Sequence, residues 1–165
     1  MGSDKAHYLL NNDPIAKDLL NAAIPVRMAY IGPDGDPRVI PISFIFNGDT
    51  FEIFTLPASP KVAALRANPK VALTVDTESQ PPRLLMVRGT ATLTLVDGIP
   101  DDYLDTGRRL LRDSVQYANW EAHVTSLWDQ LVRISITPTW AKVFDFGHQA
   151  PAAVLDVRKE KGYVH

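Results

Sequence analysis

The chain reads as an α+β domain, mainly antiparallel, with six strands forming a barrel and helices at its periphery. Three observations predict this. Strand-like segments that follow one another are joined by short turns at Pro33–Asp36 and Asn47–Asp49, which favours antiparallel pairing over βαβ crossovers. The segment Arg83–Val96 alternates cleanly. Leu85, Val87, Ala91, Leu93 and Leu95 share one face, and Arg88, Thr90, Thr92 and Thr94 share the other. The segments 83–96 and 131–146 are long enough to bend and serve two sheets.

The composition sets outer bounds. A chain of 165 residues suits one domain, expected over 1–146, followed by a weakly patterned tail at 147–165. Hydrophobic content is 45% and charged content 22%, as in ordinary globular proteins. The net charge of −2 and the scattered basic residues argue against a nucleic-acid platform. No apolar run reaches the length of about 18 residues that a membrane span needs. The absence of cysteine excludes disulfides, thiolate metal sites and cysteine nucleophiles. With no signal-peptide pattern at the N-terminus, the expected location is cytoplasmic.

In chain order, residues 1–12 are polar and expected to be loosely held. Asp13-Pro14 starts a helix, with Asp13 as cap and Pro14 in the first turn. It ends at Ile24-Pro25, and a strand follows over Val26–Ile31. Proline and glycine in Pro33-Asp34-Gly35-Asp36 specify a turn. The second strand runs from about Arg38 to Phe46. Pro41 inside it predicts an edge, a bulge or a ligand contact. Asn47-Gly48-Asp49 is the strongest hairpin signal, returning the chain along Thr50–Thr55. A short helix then stops at Asn68-Pro69, and Lys70–Asp76 forms the fourth strand. Gly89, midway along the fifth, predicts a bend or a close backbone approach. Pro100–Arg112 is helical, with acids early and arginines late. Asn119 is placed as the cap of a further helix, Trp120–Asp129. Its apolar stripe of Trp120, Val124, Leu127, Trp128 and Leu131 reads as core or subunit contact. The last strand, 131–146, is expected to kink at Pro138.

Most familiar chemistry is missing. The four histidines are scattered without ligand spacing, so no metal site is expected. No serine sits in a glycine-flanked nucleophile elbow, and no Walker or dinucleotide fingerprint is present. One stretch remains, Phe54–Pro69, with the sequence FTLPASPKVAALRANP. It runs from a strand end through a loop into a helix whose cap is Ser59 and whose first residue is Pro60. Thr55, Ser59 and Lys61 supply two hydroxyls and an ammonium beside a helix N-terminus, which suits an anion such as phosphate. An ordinary capped helix is the competing reading. Pairing of the second and third strands about Asn47–Asp49 is expected to bring Arg38 near the end of Thr50–Thr55, adding a bidentate guanidinium.

The ordered segments IPVRMAYIGPDGDPRVIPISF, FNGDTFEIFT, the S-x-K helix with RANPKVALTVD, MVRGTATL and RISITPTWAKVFDF give the chain a family likeness. Over roughly 14–146 it resembles the pyridoxamine 5′-phosphate oxidase-like superfamily of FMN-binding split β-barrels. The resemblance implies a six-stranded split barrel acting as a homodimeric flavoprotein oxidoreductase on a small-molecule substrate, with FMN at the subunit interface. It implies Arg38, Ser59 and Lys61 as phosphate ligands. Val39, Ile40, Pro41 and Ile42 would line the isoalloxazine, and Phe54 and Thr55 would flank it. Two departures point away from pyridoxamine phosphate as substrate. Ser43 stands where those oxidases carry a basic residue, and PTWAKVFDFGHQ lacks their Arg-x-His element. RGTAT and the late ITPTW also resemble a branch that uses a deazaflavin coenzyme. A non-catalytic carrier or sensor would present the same cofactor contacts.

Overall fold

The computed structural model describes residues 2–148 and 151–163. Helices α1 (Ser3–Asn12) and α2 (Pro14–Asn21) lead into strands β1 (Val26–Ile31), β2 (Pro37–Ile42), β3 (Ile45–Phe46) and β4 (Phe51–Thr55). Helix α3 (Pro60–Ala67) precedes β5 (Lys70–Asp76) and β6 (Arg83–Asp97). Helices α4 (Asp101–Leu110) and α5 (Ser114–Leu127) connect to β7 (Gln130–Asp145), and α6 (Ala152–Glu160) follows. The strands form one sheet in the order β2-β1-β5-β6-β7-β4-β3, and every pairing is antiparallel.

The antiparallel α+β architecture matches expectation, but among the described residues the sheet has seven strands rather than six, and no ladder closes it. The difference lies in the segment 38–46. It divides at Ser43-Phe44 into β2, which pairs with β1, and β3, which pairs with β4 at the opposite edge. Only Ser43 and Phe44 separate the two edge strands. Two residues span about 10 Å at most between their flanking neighbours, so the sheet must roll until its edges nearly meet. The result is a barrel-like sheet left open along one seam. Phe44 pins the seam. Its ring is fully buried, 5.7 Å from that of Phe51, and its polar backbone is met from outside by Arg109.

The rolled sheet encloses the main core. Val26, Met28, Leu73, Val75, Leu85, Val87, Ile134 and Ile136 face inward as strand alternation requires. Residues 1–12, expected to be loose, form α1 instead, because Ala6 and Leu10 enter this core. The polarity of the segment belongs to its outer face. Asp13 caps α2 as expected, accepting from the Ile15 and Ala16 N–H groups at 2.9 Å each. A second, smaller core lies on the outer surface of β4 and β7. There Phe54 and Leu131 pack against Tyr103, Leu104 and Val124 of α4 and α5. Asn119 does not cap a helix. Asp113 does so, accepting from Gln116 N–H at 2.8 Å, and Asn119 lies inside α5. Of the apolar stripe, Val124 and Leu131 are buried while Leu127 is exposed.

Gly89 performs the service its position predicted. The register of β6 against β7 shifts between Arg88 and Gly89, which pair with Trp140 and Pro138, so Thr139 is the extra residue of a bulge. Pro41 likewise sits on an edge strand.

Helix α1 is tied to the β3–β4 hairpin by His7. One ring nitrogen lies 3.0 Å from the Ser3 carbonyl, and the other lies 2.9 Å from the Asp49 carbonyl and 3.1 Å from its carboxylate. Burial lowers the imidazole pKa, but the two carbonyls and the Asp49 charge outweigh it and leave it above the ordinary value of 6.5. A raised folded-state pKa contributes stability that is present below the unfolded pKa and lost as pH rises through the folded one. The wild type is therefore expected to lose a small stability increment as pH rises past the mid-6 range, and His7→Gln is not. Urea midpoints of both proteins between pH 5 and 8 check this. Parallel profiles would exclude His7 as the source.

Candidate functional site

The loop that leaves β4 is built by backbone bonds. Ser59 N–H donates to the Leu56 carbonyl at 3.0 Å, and Val62 N–H to the Ser59 carbonyl at 2.9 Å. Pro60 occupies the first turn of α3, where a missing N–H costs nothing. Val62, Ala64 and Leu65 bury the inner face of α3 in the main core and fix its start relative to β4.

Ser59 holds the cap position, but its hydroxyl does not cap the helix. It accepts a hydrogen bond from Lys61 Nζ at 2.8 Å, and Thr55 Oγ1 accepts another from the same ammonium at 3.1 Å. Thr55, Ser59 and Lys61 therefore converge as the sequence suggested. Among the described residues Lys61 makes no ion pair. Partial burial pulls its pKa below the usual value for lysine. A half-buried ammonium held by two neutral hydroxyls at a helix start is a ready seat for an anion.

An apolar surface adjoins it. Thr55 is in register with Val132, and Val132 with Leu95, so the three line one cross-strand row on the inward face. Val132 is buried, whereas Leu95 is 54% exposed and Leu56 41% exposed. A cation at one end of a row and a bare leucine at the other suit a flat apolar ring with an anionic tail. Leu95 was visible in the sequence as part of the inward face of β6, but nothing local marked it as uncovered.

Arg38 is placed differently from expectation. It pairs across the ladder with Tyr30. Its guanidinium bonds the Asp34 carboxylate and covers Gly32, where a Cβ would collide with Arg38 Nε. The hairpin ladder joins only Ile45–Phe46 to Phe51–Glu52, because the chain breaks at Ser43, so it does not carry Arg38 to Thr55. Ile40 and Ile42 lean on the main core, while Val39 and Pro41 project outward from β2. Val39 is 64% exposed and borders a cavity of about 360 Å³ shared with Ala29, Ala72, Thr74 and Leu84. A second cavity of about 520 Å³ continues from Ala29 and Ala72 toward Ile31, Lys70 and Arg88. The Phe54 ring points away from Thr55 into the second core, 5.5 Å from Tyr103.

Two groups escaped the sequence reading. Glu52 is a buried carboxylate that accepts from Thr50, Ser135 at 2.7 Å and Asn47 at 3.4 Å, with Arg133 at 3.9 Å. Arg133 also pairs with Asp102 of α4 at 2.7 Å, fastening that helix over Phe54. Arg109, read only as a dipole-matching cation, bonds the carbonyls of Phe44 and Ile24 at 2.7 Å each and that of Ala22.

Comparison with known proteins adds the family context. The family model described as pyridoxamine 5′-phosphate oxidase matches residues 13–138. Among solved structures, one described as an F420 reductase shares 25% identity over 76% of this chain and 94% of its own, with a TM-score of 0.58. A putative pyridoxamine 5′-phosphate oxidase from Listeria innocua shares 20% over 80% and 96%, at 0.54. A FAD-binding protein from Mesorhizobium loti shares 23% over 77% and 87%, at 0.50. The comparison with curated proteins gave no match.

Proposed function

Because the chain belongs to the pyridoxamine 5′-phosphate oxidase family, we propose that it binds a flavin-type cofactor, FMN, and acts as an oxidoreductase on a small-molecule substrate other than pyridoxamine phosphate. The observation that carries this reading is the Lys61 ammonium, held by Thr55 and Ser59 with no carboxylate paired to it among the described residues. The donor set fits a phosphate. Lys61 would supply charge, the hydroxyls of Thr55 and Ser59 would donate in turn, and Leu56 and Leu95 would shield the ring from water. Arg38 joins them only by releasing Asp34. When bound, the ring supplies the hydride chemistry, while the protein supplies orientation and electrostatics.

A homodimer suits the outer sheet face. Val39, Ile31 and Met86 stand exposed there beside two adjoining cavities. A second copy would cover them and complete the ring site with Val39 and Pro41.

The test is titration with FMN and riboflavin, followed by absorbance. FMN is expected to bind at micromolar concentration. Lys61→Ala is expected to weaken FMN about tenfold or more, the worth of a charge-assisted hydrogen bond, and to leave riboflavin nearly unchanged. Equal weakening of both would remove Lys61 from the phosphate role.

A second reading, a deazaflavin coenzyme in place of FMN, is favoured by the 25% identity to the F420 reductase. Failure of both cofactors to bind would end the flavin reading. Binding without reduction by a nicotinamide donor or a reduced deazaflavin would favour a carrier or sensor.

A further inference from the structure

We infer that the cavity between α1, α2 and the β3–β4 hairpin is a binding site for a small organic carboxylate with an apolar body. It has a volume of about 380 Å³ and shares no lining residue with the Lys61 loop. That size lies at the lower end for small-molecule pockets, about 300–1,000 Å³.

Its lining divides into two parts. Leu10, Leu20, Ile45 and Phe46 supply an apolar wall, and Lys17 and Arg109 supply charge. No carboxylate lines it. Among the described residues neither cation makes an ion pair. The lining asparagines brace the frame. Asn11 Nδ2 donates to the His7 and Gly48 carbonyls at 2.9 Å each, and Asn21 Nδ2 to the Lys17 carbonyl at 2.9 Å. The Asn47 carbonyl accepts from Asp49 and Thr50 N–H at 3.0 and 2.8 Å.

Arg109 is the decisive member. A guanidinium carries five N–H donors, and carbonyls of Phe44, Ala22 and Ile24 take three of them. Two remain. These carbonyls hold the cation in place but do not neutralise it. Burial, with Arg112 nearby, brings its pKa down to about 10, so it remains charged at neutral pH. A carboxylate would accept from Lys17 Nζ and from the remaining Arg109 N–H groups, while its hydrocarbon part lies on Phe46 and Leu20. The positive wall excludes cations.

The probe is hexanoate, compared with hexanamide by calorimetry on the intact protein. Hexanoate is expected to bind, and hexanamide to bind at least tenfold more weakly. Lys17→Gln is expected to cost hexanoate about tenfold, equivalent to about 1.4 kcal/mol. Lys17 is exposed, so this variant is expected to fold. Lys61→Ala should leave hexanoate binding unchanged, which separates this site from the cofactor loop. No hexanoate binding at millimolar concentration, equal binding of the amide, or indifference to Lys17→Gln would overturn the proposal.

Discussion

Arg109→Met is expected to destabilise the protein by about 2–3 kcal/mol, because three part-buried carbonyls lose a charged donor and a hydrogen bond to a charged group contributes about 1.5–3 kcal/mol. The side chain joins three parts of the chain. Ala22 and Ile24 lie just before β1, and Phe44 lies in the break between the two edge strands. Its guanidinium also stacks 3.8 Å from the centre of the Phe44 ring. Methionine keeps much of the stem's packing, so the loss reports the bonds rather than the volume. Arg112 provides the comparison. It reaches one exposed carbonyl, that of Asn21, and Arg112→Met is expected to cost no more than about 0.5 kcal/mol. Urea unfolding of the three proteins decides the matter. Equal losses for the two variants would mean that Arg109 is not the clasp of the seam.

Gly89→Ala is expected to cost about 1–3 kcal/mol, the usual range for overpacking a filled site. A Cβ there would lie 2.6 Å from Ile136 Cγ2 and 2.7 Å from the Thr137 carbonyl oxygen. The oxygen belongs to the backbone of β7 at its bulge and cannot turn aside as a side chain can. At about 2–4 °C per kcal/mol for a chain of this size, the melting temperature should fall by several degrees. Gly2→Ala, with nothing within 4 Å, meets no such clash and should cost only the difference between a glycine and an alanine N-cap on α1, under about 1 kcal/mol. A Gly89→Ala protein melting with the wild type would show that the ladder yields at the bulge.

Local chemistry made much of the fold legible. Alternation in 83–96, the turn residues at 33–36 and 47–49, and the cap at Asp13 each act over a few residues, and each appears in the structure. Where the reading failed, the deciding forces were distant. Ser43-Phe44 interrupts a strand because the two halves find partners at opposite edges of the sheet, and no local residue announces that. Helix α1 is held by Ala6, Leu10 and His7, whose partners lie far along the chain. The Thr55, Ser59 and Lys61 cluster was legible because all three fall within seven residues. Arg38 was assigned through a ladder that in the structure ends at Phe46, and its guanidinium bonds Asp34, four residues away. Glu52 and Arg109 act through tertiary partners and carried no local mark.

The place of β7 in the sheet has a consequence for how the chain reaches its native state. β7 lies between β6 and β4, and the β3–β4 hairpin has no other neighbour in the sheet. An isolated hairpin is marginal in water, and β3 has only two residues. During synthesis, β1, β2, β5 and β6 can pair as soon as residue 97 has emerged, but the hairpin must wait for residues 130–145. The pairing of Phe51 with Ile136 is therefore a late, high-contact-order event, of the kind that slows folding and leaves an edge exposed in the meantime. The Lys61 loop hangs from the end of β4, so competence to hold an anion would be acquired only when this last strand is in place.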